Sequence, residues 1–78
     1  MRKIKLVTIA DVRDFVAINV GTNVDVTLIS GRYAVDGKSI LGIFSLDLVN
    51  PISIDISSDS ESDINNYLDS ISRFIVEE

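Results

Sequence analysis

Seventy-eight residues, 46% hydrophobic and 24% charged, describe one globular domain spanning 1–78, because a chain this short buries only ~60–65% of its unfolded surface and cannot divide its core. A formal net charge of −5 opposes the phosphate backbone and argues against nucleic-acid binding. Cysteine and histidine are both absent, which removes disulfides, structural zinc, phosphohistidine chemistry and the Ser/His/Asp and Cys/His nucleophilic sites.

At the start, Ile4 and Leu6 alternate with Lys3 and Lys5, and this period of two predicts a half-buried strand over 2–8. Asp11, Arg13 and Asp14 interrupt the apolar residues that follow, so neither a signal-peptide core nor a span of ~20 apolar residues forms, and a cytoplasmic location is expected. Asp11 offers an N-cap oxygen, with Asp14 three residues later as in a capping box. Val12, Phe15, Val16 and Val20 then share one face of a helix over 12–20, ended by Gly21 in a left-handed C′ conformation.

Val24, Val26 and Leu28 alternate with Asp25 and Thr27, giving a strand over 24–30. Gly31-Arg32 closes a type II′ hairpin, and Tyr33 and Val35 begin a third strand that ends by Asp36-Gly37. Ser39 reads as the N-cap of an unusually apolar helix over 39–48, broken by Asn50-Pro51. Ile52, Ile54 and Ile56 alternate with Ser53, Asp55 and Ser57 in a strand over 52–58. Ile64, Tyr67, Leu68, Ile71, Phe74 and Ile75 form the stripe of a closing amphipathic helix. The resulting order is β-α-β-β-α-β-α, an α+β domain with a four-stranded antiparallel sheet and three helices on one face.

Two short motifs fail, one on spacing and one on residue type. Gly37-Lys38-Ser39 ends like a phosphate-binding loop, but five residues separate Gly31 from Gly37 where four are required. Asp59, Glu61 and Asp63 open like a calcium loop, yet Ile64 holds the glycine position and Ser70 the bidentate glutamate position. They read instead as carboxylates at a helix N-terminus. No metal and no cofactor is expected. Six of the seven basic residues precede position 39, while seven carboxylates, Asp55 to Glu78, crowd the end. That asymmetry reads as a solvated acidic helix.

The apolar segment after Ser39 is the informative feature. Ile40, Leu41, Ile43, Phe44, Leu46 and Leu48 exceed what one buried helical face can hold, so some are expected to project into solvent as a docking patch.

The run Val35-Asp36-Gly37-Lys38-Ser39-Ile40-Leu41-Gly42-Ile43-Phe44-Ser45-Leu46 resembles the regulatory-serine segment of HPr. HPr is the small phosphocarrier of the bacterial phosphoenolpyruvate:sugar phosphotransferase system, and the segment reads Lys-Ser-Ile-Met-Gly-Val-Met-Ser-Leu in many members. Weaker similarity extends over roughly 15–75. The resemblance implies the HPr open-faced β-sandwich. It implies that Ser39 matches the serine phosphorylated by a dedicated kinase in Gram-positive relatives. Ile40, Leu41 and Phe44 then match the apolar residues that meet enzyme I, sugar-specific IIA domains, the kinase or a catabolite-control transcription regulator, and Lys38 and Leu48 join them as candidate protein-binding residues. The chain departs from the family on the N-terminal side, between strand one and helix one. Gly-(Ile/Leu)-His-Ala-Arg-Pro is replaced by a shorter passage from Thr8 through Ile9-Ala10-Asp11-Val12-Arg13-Asp14 to Phe15, with no imidazole, and Arg13 is out of register with the family arginine.

The expectation is therefore a non-enzymatic, monomeric, cytoplasmic regulatory or adaptor protein that makes no contact with membrane, nucleic acid or metal. It would bind its partners through the Ser39–Leu48 segment, with Ser39 as a phosphorylation switch. The alternative is a small-molecule-sensing ACT-like regulatory domain acting as a dimer.

Overall fold

The most regular alternation in the sequence, Ile52 to Ser57, does form a strand, and the rest of the sheet is built around it. In the computed structural model, which describes residues 2–76, the elements are β1 (Arg2–Ile4), α1 (Ile9–Val20), β2 (Asp25–Ser30), β3 (Tyr33–Asp36), α2 (Ile40–Phe44), β4 (Ile52–Ser57) and α3 (Glu61–Ser70). A 3-10 turn (Ser72–Phe74) and β5 (Ile75–Val76) follow. Glu77 and Glu78, the end of the acidic run, lie outside the described residues. The sheet is open and antiparallel, in the order β3-β2-β4-β1-β5. It has five strands where the sequence pattern predicts four.

The fifth strand comes out of the closing apolar stripe. The last helix ends at Ser70, and the Phe74 N–H bonds the Ile71 carbonyl at 2.9 Å in a tighter 3-10 turn. Ile75 thereby leaves the helical face and pairs with Ile4. Strand one is shorter than predicted because Val7 N–H is claimed by the Asp11 carboxylate at 2.9 Å, which turns the chain toward α1 beyond Lys5 and Leu6. Gly21 ends α1 at φ −87°, ψ 1°, so it does not adopt the expected left-handed conformation. Gly31 does, at φ 60°, with no positive φ at Arg32; positive φ at the first central residue alone is the signature of a type II′ turn.

Register sorts the strand residues into two faces. Leu28 opposes Ile54, Val26 opposes Ile56, and Ile4 opposes Ile52. Ile4, Leu28, Ile52 and Ile54 are buried together with Val12, Phe15, Ile43, Tyr67 and Ile71, so all three helical regions feed one core. Each such burial contributes about 1.5–3 kcal/mol. Phe15 and Phe74 meet edge to face at 5.7 Å and 85°, an arrangement aromatic quadrupoles favour. On the other face, Thr27 opposes Asp36 and Asp55; both carboxylates are exposed.

A polar side chain, that of Asn19, is buried in this core. Val20, the expected fourth apolar residue of α1, is 64% exposed, and the buried position next to it belongs to Asn19. Its Nδ2 donates to the Gly37 carbonyl at 2.6 Å, and its Oδ1 accepts from the Tyr67 hydroxyl. Burial alone pushes the Tyr67 pKa up, so the phenol stays a protonated donor. Gly37 is required for close approach. A Cβ there would lie 2.7 Å from Val26 Cγ1 and 3.0 Å from Asn19 Nδ2, while its N–H bonds the Val26 carbonyl at 2.8 Å.

Removing a partner leaves a buried amide oxygen unsatisfied, so Tyr67→Phe is expected to cost about 1–3 kcal/mol in urea unfolding. Gly37→Ala is expected to cost about 1–3 kcal/mol through overpacking. In a double-mutant cycle, Tyr67→Phe and Asn19→Ala should be clearly less than additive.

Candidate functional site

The candidate site is built on α2, and its first requirement is a cap. Ser39 sits at φ −98°, ψ 102°, and its Oγ accepts the Gly42 N–H at 3.1 Å, satisfying one of the helix's orphan donors. Ser39 N–H bonds the Asp36 carbonyl at 3.0 Å, and Lys38 N–H bonds Asp36 Oδ1 at 2.9 Å. The turn into the helix is therefore fixed from β3. Gly42 lets the helix lie close: a Cβ there would stand 3.0 Å from Ser39 Oγ and 3.3 Å from Val35 Cβ.

The helix is shorter than the predicted 39–48 segment. The Ser45 N–H is shared between the Leu41 carbonyl at 3.2 Å and the Gly42 carbonyl at 3.1 Å, the Leu46 N–H reaches back three residues to Ile43 at 3.0 Å, and the Ser45 hydroxyl donates to the Gly42 carbonyl at 2.6 Å. This tightening ends the helix at Phe44, so Leu48 stands on the following loop. Ile43 and Leu46 are buried, and Ile40 and Leu48 half-buried. Leu41 is 80% exposed and Phe44 41% exposed, with Lys38 and Ser39 exposed beside them.

The loop after α2 is pinned from two sides. Asp47 accepts from Val49 N–H at 3.0 Å and Asn50 Nδ2 at 3.0 Å. The Lys5 ammonium donates to the Leu48 carbonyl at 3.2 Å and to the Val49 carbonyl. Lys5, Leu6, Val7, Leu48 and Val49 line an open groove of about 310 Å³, in which Val7 is 74% and Val49 79% exposed. Sequence reasoning missed this pair. The two segments are joined by Lys5 bonds spanning 43 and 44 residues, for which local periodicity carries no signal.

The first turn of α1 is closed by its own side chains. Its N-cap is Thr8, not Asp11; Asp11 is the third residue of a true capping box. Thr8 Oγ1 accepts Asp11 N–H at 3.0 Å, and the Asp11 carboxylate accepts Val7 N–H and Thr8 N–H. The Val7 N–H above all, with the two Thr8 bonds and nearby Arg73, holds the Asp11 pKa below its ordinary 3.8 against a smaller opposing desolvation. Arg73 pairs with Asp14 at 2.7 Å and lies 4.4 Å over the Phe74 ring. With both partners more than half exposed, the ion pair contributes little.

No family model, curated protein or solved structure matches the chain. Among the described residues, no helix is long and apolar enough to cross a membrane.

Thr8→Ala is expected to lower stability by about 0.5–2 kcal/mol. A carboxylate whose pKa is depressed by folding stabilises above its unfolded value and loses that contribution as pH falls through the folded one. Stability supplied by Asp11 should therefore be complete at neutral pH and disappear below pH 3.8. Denaturant midpoints measured into acid should fall more steeply for the native chain than for Asp11→Asn.

Proposed function

We propose that this protein is a non-catalytic regulatory or adaptor domain of the cytoplasm, similar to HPr, that docks on other proteins through α2. The observation that carries the reading is the exposure of Leu41 and Phe44 on a helix opened by the exposed hydroxyl of Ser39. A solvent-facing Leu and Phe one helical turn apart form an anchor of the kind that buries well in a partner's groove. The supporting chemistry is negative as well. With neither histidine nor cysteine in the chain, no imidazole relays phosphate, and no thiolate serves as nucleophile.

Ser39 is the switch in this reading. Phosphorylation there adds ~1.5–2 negative charges at the rim of an apolar patch, next to Lys38. The fold tolerates this because Ser39 lies outside the core, while the set of partners changes because a charged rim must now be matched or desolvated. Partners of this chemistry are proteins of the phosphotransferase system or a transcription regulator with a complementary apolar groove. No phosphoryl group passes onward.

Incubation with an HPr-type kinase and ATP should add a single phosphate, located at Ser39 by mass spectrometry and abolished in Ser39→Ala; an unmodified Ser39 would remove the switch. Leu41→Asp, at a position 80% exposed, should change stability by no more than about 0.5 kcal/mol. Leu41→Asp and Phe44→Asp should each weaken binding to enzyme I, a IIA domain or the kinase roughly tenfold. Unchanged affinity in both would overturn the docking role of α2.

A further inference from the structure

The edge of the sheet carries an inference independent of α2. β3 is an outer strand of the sheet. Its residues Tyr33-Ala34-Val35-Asp36 include neither proline nor lysine, two of the usual guards of an open edge. Backbone parity follows from one bond. Gly37 N–H reaches the Val26 carbonyl at 2.8 Å, so alternate residues Val35 and Tyr33 also direct their N–H and C=O groups toward β2. Arg32, Ala34 and Asp36 direct theirs away from the sheet. The Asp36 carbonyl is taken by Ser39 N–H, whereas Ala34, an exposed residue, presents both groups to solvent.

We infer that two copies of this chain pair antiparallel through their β3 edges, about a twofold axis at Ala34. Ala34 of each copy exchanges both backbone hydrogen bonds with Ala34 of the other. Charge selects this register. With Ala34 opposite Ala34, Arg32 of each copy faces Asp36 of the other, giving two opposite-charge pairs on one face of the joint. A slide of two residues one way places Arg32 opposite Lys38, a like-charge pair. The opposite slide places Arg32 opposite Ala34 and Asp36 opposite Ser30, leaving both charges unmatched. On the other face, Tyr33, 73% exposed, covers Val35 of the second copy. The joint is four residues a side, well below a standard interface, so it forms a weak, concentration-dependent dimer. The two open sheets continue into one, and the expectation of a monomer is replaced.

Sedimentation of the full chain up to millimolar concentration should show dimer formation that weakens as salt rises. Amide exchange at Ala34 should slow as concentration rises, while exchange at other exposed amides stays constant. Arg32→Asp should weaken association roughly tenfold, and adding Asp36→Arg should restore it by reversing the pairs. Ala34→Pro removes a donor that the internal ladder does not use, so it should abolish association. Circular dichroism and thermal unfolding confirm that each variant is folded before it is compared. A single-copy mass at every concentration, concentration-independent exchange at Ala34, or an Arg32→Asp variant that associates like the native chain would each overturn the inference.

Discussion

The Asn19 amide is held at both ends, its nitrogen on the Gly37 carbonyl and its oxygen on the Tyr67 hydroxyl. A fully buried amide without partners costs several kcal/mol, so folding proceeds only with α1, α3 and the turn after β3 all in place. This constraint also positions the candidate site. Gly37 is two residues before Ser39, and its backbone is fixed by Asn19 on one side and by Val26 on the other. The direction in which α2 leaves the sheet is thus set by a polar contact in an otherwise apolar interior.

The exposure of Leu41 and Phe44 has its origin in length. A helix of five residues makes less than one and a half turns, so it can direct only part of its side chains inward, here Ile43 with Ile40 beside it. The following loop then returns Leu46 to the core. Ser45, through two bonds to Gly42, sets where the inward and outward residues divide.

Much of this was legible in the sequence where a local rule decides the outcome. Gly31-Arg32 gave the hairpin, the isoleucine alternation gave β4, and Ser39 gave the start of α2, because turn chemistry, pleat and capping act within a few residues. The legible part of the site was Ser39, Leu41 and Phe44. Longer-range contacts hid the rest. Ile75 fits the helical stripe by spacing, and only pairing with Ile4 reveals it as a strand. Asn19 is buried where periodicity favours Val20, because its partners lie 18 and 48 residues away. Asp11 has the right residue type for a cap, yet Thr8 holds that place and leaves Asp11 to complete the box.

β1 lies between β4 and β5, with Ile4 opposite both Ile52 and Ile75. Residues near the start of the chain therefore have no neighbouring strand until the segments around positions 52 and 75 have been synthesised. The hairpin of β2 and β3 closes locally, but the middle of the sheet waits on loop closures that span most of the domain, which slows folding by raising contact order. On the ribosome, assembly is consequently a late event: α1 and α2 can cover the apolar side of the hairpin early, but the inner edge of β2 has no strand partner until β4 has emerged, an interval in which a nascent chain is vulnerable to mispairing.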